Sequence, residues 1–418
     1  MKKLTKLSIK QFRNVAPTTL EFRPGINVLL GKNAAGKTTL LRLLSTAVGV
    51  PDEALAADVF DVSYHSSDGS FEFERSILRS RMDTEFPHLS AGRVTRGMRS
   101  AVPINQVDSF ILKIDDKVVG KAEVHPNEII LERAGTRSTV KFLMSPVPLP
   151  LFNVHFALQQ DKDKSPELVE AAVAIERYLL REFSGRMDES LKRFDALLDF
   201  EFKTSHKEEI ILDSTWNPAD VPPSLYKQFF GNLFKEGSLT EFAPTFLDRA
   251  ANVLGFHSAS ARVDIDRLDS DPNNQALRFH NLRFLFKRPG EEISHDLLSY
   301  GQKRLLAFFA HAEASGDVII ADELVNGLHH EWISACLTEI GDRQAFLTSQ
   351  NPLLLDFLRF DSADEVRRTF ILCERVNGET GARLIWRNPT EDEAESFFSA
   401  YQTGIQRVSD ILLTKGLW

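Results

Sequence analysis

Cysteine is scarce in this chain: only Cys336 and Cys373 occur among 418 residues, and they form no CxxC pair. That excludes a disulfide framework and a cysteine zinc site, and both thiols are expected to be buried and inert. Long apolar runs are missing too. The opening Met1, Lys2, Lys3 leads into the mixed stretch LTKLSIKQF, which lacks the continuous apolar core of a signal peptide, and no later run approaches the ~20 residues of a membrane span. The expectation is a cytoplasmic protein with no membrane partner. Sustained heptads are also absent, which excludes a long coiled-coil arm. A net charge of -9 argues against a uniformly basic coat for nucleic acid, although it leaves a local basic surface open.

What is present is an ordinary globular composition, 43% hydrophobic and 26% charged, long enough to bury a sizeable core and to divide into two or three lobes. The most specific signal lies near the start. Leu4 to Phe12 and Thr19 to Phe22 read as short strands, and Ile26 to Leu30 (INVLL) is the continuous apolar run of a strand covered on both faces. Directly after it comes GKNAAGKT, Gly31 to Thr38, which fits GxxxxGK[ST], and TLLRLLSTAV then shows helical apolar spacing. Strand, loop and helix follow in the order a phosphate-binding loop needs. Its backbone N–H groups, from Asn33, Ala34, Ala35, Gly36 and Lys37 through Thr38 and Thr39, are expected to curl around phosphate oxygens at a helix N-terminus. Lys37 is expected to reach the β and γ phosphates of ATP, Thr38 to place its hydroxyl on Mg²⁺, and Gly36 to allow close backbone approach. The bland alternative is a chance glycine turn before a helix.

A second constellation stands far downstream. Asp317 to Glu323 reads DVIIADE, a buried strand with two carboxylates at its C-terminal end. Asp322 suits Mg²⁺, and Glu323 suits polarising an attacking water, because in-line phosphoryl transfer needs an oriented nucleophile beside the metal. A strand ending in a solvated acidic turn would look the same in isolation. Ahead of it lies LSYGQK, Leu298 to Lys303, followed by the helix-like RLLAFFAHAEA. A serine and a glycine opening a helix make an anion site, although an N-cap serine on a core helix fits the same residues.

Here the sequence resembles a family. LSYGQK is similar to the signature loop of ABC ATPases, and Ser299 precedes Asp322 by 23 residues (322 minus 299), as in such heads. ELVNGLHH, from Glu323 to His330, resembles the stretch that follows the acidic strand in ATPases of the RecF, SMC-like and overcoming-lysogenization-defect group. QFRN, Gln11 to Asn14, is similar to their segment near the nucleotide, which adds Arg13 and Asn14 to the candidate nucleotide contacts. The resemblance covers about a third of the chain, residues 1 to 48 and 276 to 360. It implies an α/β fold, a P-loop NTPase head of ABC type with a mixed sheet flanked by helices. It also implies a dimer or higher homo-oligomer, in which Ser299 and Gly301 reach the γ phosphate held by the other subunit.

Three residues depart from the family pattern. Gln350, in SQNP, stands where histidine is usual; it can donate a hydrogen bond but carries no titrating proton, so slow hydrolysis and a long-lived closed state are expected, with Gln350 beside Lys37 and Glu323 as the catalytic set. Ala34 replaces a loop glycine, and His330 replaces a proline. Gln159 and Gln160 are candidates, by position only, for the Q-loop glutamine that the resemblance implies.

The remaining sequence divides the chain into residues 1–160, with an antiparallel β extension over 60 to 145; 161–275, a helical lobe insertion; and 276–418. The helical expectation rests on Ser165 to Phe200 and on Ser238 to Leu254, where Ser238 and Glu241 have capping-box spacing. The C-terminal part reads as a hairpin, TFILCERV with ARLIW, and a helix from Glu391 to about Leu413. Arginines 75, 79, 81, 93, 96 and 99 form the one basic stretch, either a DNA-backbone contact or a solvated strand and loop. No second acidic constellation of a fused nuclease is visible. The expected role is therefore an ATP switch controlling a separate effector, a nuclease or toxin, as in stand-alone ATPases of bacterial antiphage systems. The alternatives are a RecF-like ATPase acting on DNA, a transporter-type head and a scaffold that never hydrolyses.

Overall fold

A computed structural model describes residues 3–47, 52–69, 71–81, 104–125, 128–133, 136–141, 186–188, 191–199, 202–205, 210–212, 221–231, 239–268, 276–378 and 381–418. They fall into two units, one comprising residues 1–182, 360–406 and 410–418 and the other 183–359 and 407–409.

The first unit carries strands β1 (Lys3–Phe12), β2 (Thr18–Glu21), β3 (Ile26–Leu30), β4 (Phe60–Asp68), β5 (Phe71–Arg81), β6 (Ile104–Ile114), β7 (Lys117–Val124), β8 (Glu128–Arg133) and β9 (Thr136–Lys141). All except β3 join one antiparallel sheet in the order β2-β1-β4-β5-β6-β7-β8-β9. The alternating pattern of FEFERSI produces this extension: Phe73 and Ile77 are buried with Arg75 between them on the same face. β3 pairs in parallel with β18 (Phe370–Gly378), which folds back on β19 (Gly381–Arg387) as the expected hairpin. Four of the five residues of β3 are buried, the pattern of a strand covered on both faces.

The second unit contains β10 (Phe202–Ser205), β11 (Ile210–Leu212), β12 (Leu239–Phe242), β13 (Ser258–Leu268), β14 (Ala276–Arg288) and β15 (Glu291–Ser294). They pair antiparallel in the order β11-β10-β14-β13-β12, with β15 also on β14. β16 (Val318–Ala321) and β17 (Gln344–Thr348) form a parallel pair of wholly buried strands. The helix Tyr300–Ala314 buries every position from Arg304 to Ala310, as expected of a helix surrounded by core.

The helical lobe needs correction. Its described residues are mixed, because β10 to β13 arise within 161–275. Leu239–Phe242 is a strand, and the following helix is Thr245–Val253 with Pro244 at its N-cap, so Glu241 lies in a strand and opens no helix; Ser238 lies outside the described residues. Proline disfavours helical backbone in the residue before it, which ends any helix at Ala243 and restarts it after Pro244. Glu241 instead accepts hydrogen bonds from Ser260, Arg262 and Lys287 on neighbouring strands. Those bonds, led by Ser260 and Arg262, pull its carboxyl down to about 2. Within Ser165–Phe200, residues 165–185 lie outside the described residues. The part that follows is not continuously helical: Met187 makes a parallel bridge to Ala321, and the helix runs only from Lys192 to Leu198. The C-terminal helix also ends early, at Gln402, and a second one runs from Val408 to Thr414; Gly404 lies between them at φ 67°.

Candidate functional site

In the first unit, the loop after β3 closes tightly before the helix Lys37–Ala47. The Ala35 N–H donates to Lys32 O at 3.2 Å, and the Leu40 N–H to Gly36 O at 2.9 Å. Gly36 is required here by packing as well as conformation. Its φ is +85°, and a Cβ would lie 2.8 Å from Leu384 Cδ1 and 3.1 Å from Trp386 Cζ2. Trp386, fully buried on β19, donates its indole N–H to Ala35 O at 3.1 Å, so the hairpin holds the loop from behind. Lys37 is buried and donates from Nζ to Gly31 O at 2.7 Å and Lys32 O at 3.2 Å, while Asn33 and Ala34 are exposed at the loop's crest. Thr38 and Thr39 are half-buried in the first turn of the helix. A helix N-terminus, a lysine ammonium and a threonine hydroxyl are the donor set that a nucleotide phosphate with magnesium requires, so the residues fit ATP and Mg²⁺.

Ala34 adopts φ +64°, the left-handed region that costs a non-glycine residue about 1–2 kcal/mol. Ala34→Gly is therefore expected to raise stability by about 1 kcal/mol, read as a higher midpoint in thermal unfolding. An unchanged or lower midpoint would show that the loop relaxes around alanine without strain.

Arg13 and Asn14 sit elsewhere in their local networks. The Arg13 guanidinium donates to both oxygens of Asp58, at 3.1 and 2.6 Å, and to Ala54 O at 3.1 Å. Asn14 donates from Nδ2 to Ala382 O at 2.7 Å. Two arginines of the basic stretch are also occupied inside the protein. Arg75 is buried and ion-paired with Asp108, and Arg79 donates to Gln106 Oε1 at 2.7 Å and Leu55 O at 3.0 Å. Neither can face a nucleic-acid backbone from there; Arg81 is exposed, and Arg93, Arg96 and Arg99 lie outside the described residues, as do Gln159 and Gln160. Cys336 and Cys373 are buried free thiols, with burial pushing both thiols up, Cys373 to about 12.

In the second unit, β16 delivers Asp322 and Glu323, only 4% and 5% exposed, at its C-terminal end. Thr348, at the end of β17, ties them together: its hydroxyl accepts from the Glu323 N–H at 2.7 Å and donates to Asp322 Oδ1 at 2.5 Å. Glu323 has φ +52°, which turns the chain sharply at the carboxylate. Two amides then fix its side chain, Gln350 donating to Oε1 at 3.1 Å and Asn326 to Oε2 at 3.0 Å.

Ser299 caps the helix Tyr300–Ala314 in a capping box with Gln302, whose Oε1 accepts from the Ser299 N–H at 2.8 Å. Just upstream, His295 accepts from the Phe284 N–H at 3.1 Å through Nδ1, and burial drives its pKa down. Ser299 is itself exposed. Gly301 fits because a Cβ there would lie 2.5 Å from Gly327 O, so the start of this helix packs directly on the turn after Glu323. Arg304, in the same helix and wholly buried, reaches that turn from beneath. It donates to Leu324 O at 3.1 Å, to Asp322 O at 2.9 Å and to Glu323 O.

Thr348, Asn326, Arg304 and Trp386, together with Arg186, whose Nη1 lies 3.3 Å from Asp322 Oδ2, are site residues that the sequence did not single out. Arg304 and Asn326 stood inside motifs already quoted and Trp386 inside the hairpin segment ARLIW; Thr348 and Arg186 carry no local signal.

Two family models match the chain, "AAA domain" over residues 6–209 and "AAA domain, putative AbiEii toxin, Type IV TA system" over residues 180–356. Both descriptions are of AAA-type ATPase domains, and the buried strand β3, the loop Gly31 to Thr38 and the helix Lys37–Ala47 stand in the order of a P-loop ATPase. Among curated proteins, the DNA replication and repair protein RecF of Psychromonas ingrahamii is 51% identical over 41 residues, 10% of this chain and 11% of that protein. The RecF of Ligilactobacillus salivarius is 30% identical over 104 residues, 22% of this chain and 27% of that protein. The matches thus span under a third of these relatives' own length. A solved SMC head bound to the C-winged helix domain of ScpA overlays with a TM-score of 0.42 at 11% identity, covering 92% of this chain and 98% of that one. Among the described residues, no helix is long and apolar enough to cross a membrane.

Proposed function

We propose that the chain is a Mg²⁺-dependent ATPase that works as a conformational switch, and that it controls a separate effector protein. The observation that carries hydrolysis is the held Glu323: a nearly buried carboxylate, fixed by two amide donors beside Asp322, is oriented to take a proton from water. In this reading the loop Gly31 to Thr38 binds the triphosphate, Lys37 draws charge from its β and γ phosphates, Thr38 is a metal ligand in the first unit, and Asp322 is the metal-ligand candidate of the second. Magnesium, when bound, neutralises the phosphate oxygens and so lowers the barrier to attack. Ser299 and Gly301, at an exposed helix start, act on nucleotide bound by a second copy, which makes the working unit a homodimer or larger. The effector reading draws on the description of the second family model, which names an AAA domain, a putative toxin and a type IV toxin–antitoxin system together. The RecF relatives favour an alternative, an ATPase acting directly on DNA for repair or maintenance.

Gln350 separates slow from fast chemistry. Glutamine holds Glu323 Oε1 but carries no titrating proton, so turnover is slow and the closed state long-lived. Gln350→Ala frees one carboxylate oxygen and is expected to lower phosphate release roughly tenfold with ATP binding unchanged. Turnover that is fast, and indifferent to this substitution, would sink that reading.

The two roles are distinguished by recovering tagged Glu323→Gln protein from its native cells with ATP and Mg²⁺. A stoichiometric nuclease or toxin establishes effector control. DNA alone, together with DNA-stimulated hydrolysis by the purified wild type, moves the assignment to repair.

A further inference from the structure

Asp322 does not present a bare carboxylate. Oδ1 accepts from Thr348, and Oδ2 lies 3.3 Å from Arg186 Nη1. Arg186 is 8% exposed and Asp322 4%, so the two charges meet out of bulk water. Their register is set by the backbone. The Met187 N–H donates to Ile320 O at 2.9 Å and the Asp322 N–H to Met187 O at 3.0 Å, which lays residues 186–188 along the edge of β16. Behind this strap Met187, Leu191, Phe194 and Ala307 line a pocket of about 40 Å³, so the strap is not backed by solid packing.

A carboxylate this buried is stable only beside a positive charge. An arginine already at Oδ2 and a divalent cation arriving at the same carboxylate repel each other, and burial weakens the screening that would soften this. We propose that Arg186 is a placeholder for the metal. It neutralises Asp322 while the site holds no Mg²⁺-nucleotide, and its guanidinium withdraws from Oδ2 as the metal is loaded, so it sets the threshold for loading. This rests on the reading of Asp322 as a metal ligand.

The test is Mn²⁺ binding in the presence of a non-hydrolysable ATP analogue, followed by electron paramagnetic resonance, with thermal unfolding measured beside it. Arg186→Met keeps the apolar stem and removes the charge. It is expected to bind Mn²⁺ roughly tenfold more tightly than the wild type. Without metal it should melt several degrees lower, a deficit that closes when Mg²⁺ and the analogue are added. Arg186→Gln retains a donor for Oδ2, carries the same expectation, and serves if the methionine variant does not fold. An equal loss of melting temperature with and without metal, at unchanged Mn²⁺ affinity, would reduce Arg186 to a structural ion pair and overturn the proposal. Weaker Mn²⁺ binding in either variant would overturn it too, by making Arg186 a supporter of the metal. Asp322→Asn separates the two claims: it abolishes Mn²⁺ binding if Asp322 is a ligand, and wild-type binding by this variant would fail the ligand reading itself.

Discussion

Glu323→Gln is expected to slow phosphate release by about 10²–10⁴-fold while leaving ATP affinity within about twofold. Glutamine matches the side chain in size, and the Glu323 N–H keeps its bond to Thr348 whatever the side chain, so the turn at φ +52° is retained. What is lost is the ability to accept a proton. The amide also meets Asn326 and Gln350 as a partner with one acceptor oxygen in place of two, so one of those donors must turn away. A phosphate-release assay beside binding of a fluorescent ATP analogue reads both quantities. Hydrolysis within about threefold of the wild type would mean that another group activates the water.

The parts of this site legible in the sequence are those that geometry confines to a few consecutive residues. A phosphate loop must be a glycine-permitted turn between a buried strand and a helix, and GKNAAGKT after INVLL spells that out locally. The acidic end of β16 and the capped helix at Ser299 are legible for the same reason. Their partners are not. Arg186 lies 136 residues from Asp322 in the chain and Trp386 351 from Ala35, and nothing near either residue announces the contact. Gly36 shows both sides of this. Its motif role is visible in the sequence, whereas its need to clear Leu384 and Trp386 appears only with the fold.

The errors have the same origin. Ser238 and Glu241 have the spacing of a capping box, yet Leu239–Phe242 pairs with β13, because ladder hydrogen bonds and Glu241's cross-strand cations outweigh a local helix preference. The arginines at 75 and 79 read as a basic surface only while their cross-strand neighbours are unknown. On the folded sheet Arg75 faces Asp108 and Arg79 faces Gln106, and the apparent surface charge becomes internal structure.

Arg304→Met is expected to destabilise the second unit by about 3–6 kcal/mol, a large part of the 5–15 kcal/mol that holds a typical domain folded. Methionine fills most of the space but donates nothing. The carbonyls of Asp322, Glu323 and Leu324 all accept from this one guanidinium, and a buried acceptor left without a partner costs about 1–3 kcal/mol. The loss falls where the backbone can least bear it, since Glu323 already holds a left-handed conformation that costs about 1–2 kcal/mol. Arg304→Lys is expected to recover part of the stability, because an ammonium can serve one or two of the three carbonyls but not all of them in one plane. Thermal or urea unfolding measures the loss; a methionine variant melting within about 1 °C of the wild type would show that other donors take over these carbonyls. A further consequence separates this residue from an ordinary core position. The same side chain belongs to the helix that Ser299 caps, and Gly301 seats that helix on Gly327, so a shift of the helix start must move the turn carrying Glu323. In Arg304→Lys, stable enough to assay, phosphate release should therefore fall by more than ATP affinity does, whereas a purely structural role would weaken both in proportion to the unfolded fraction.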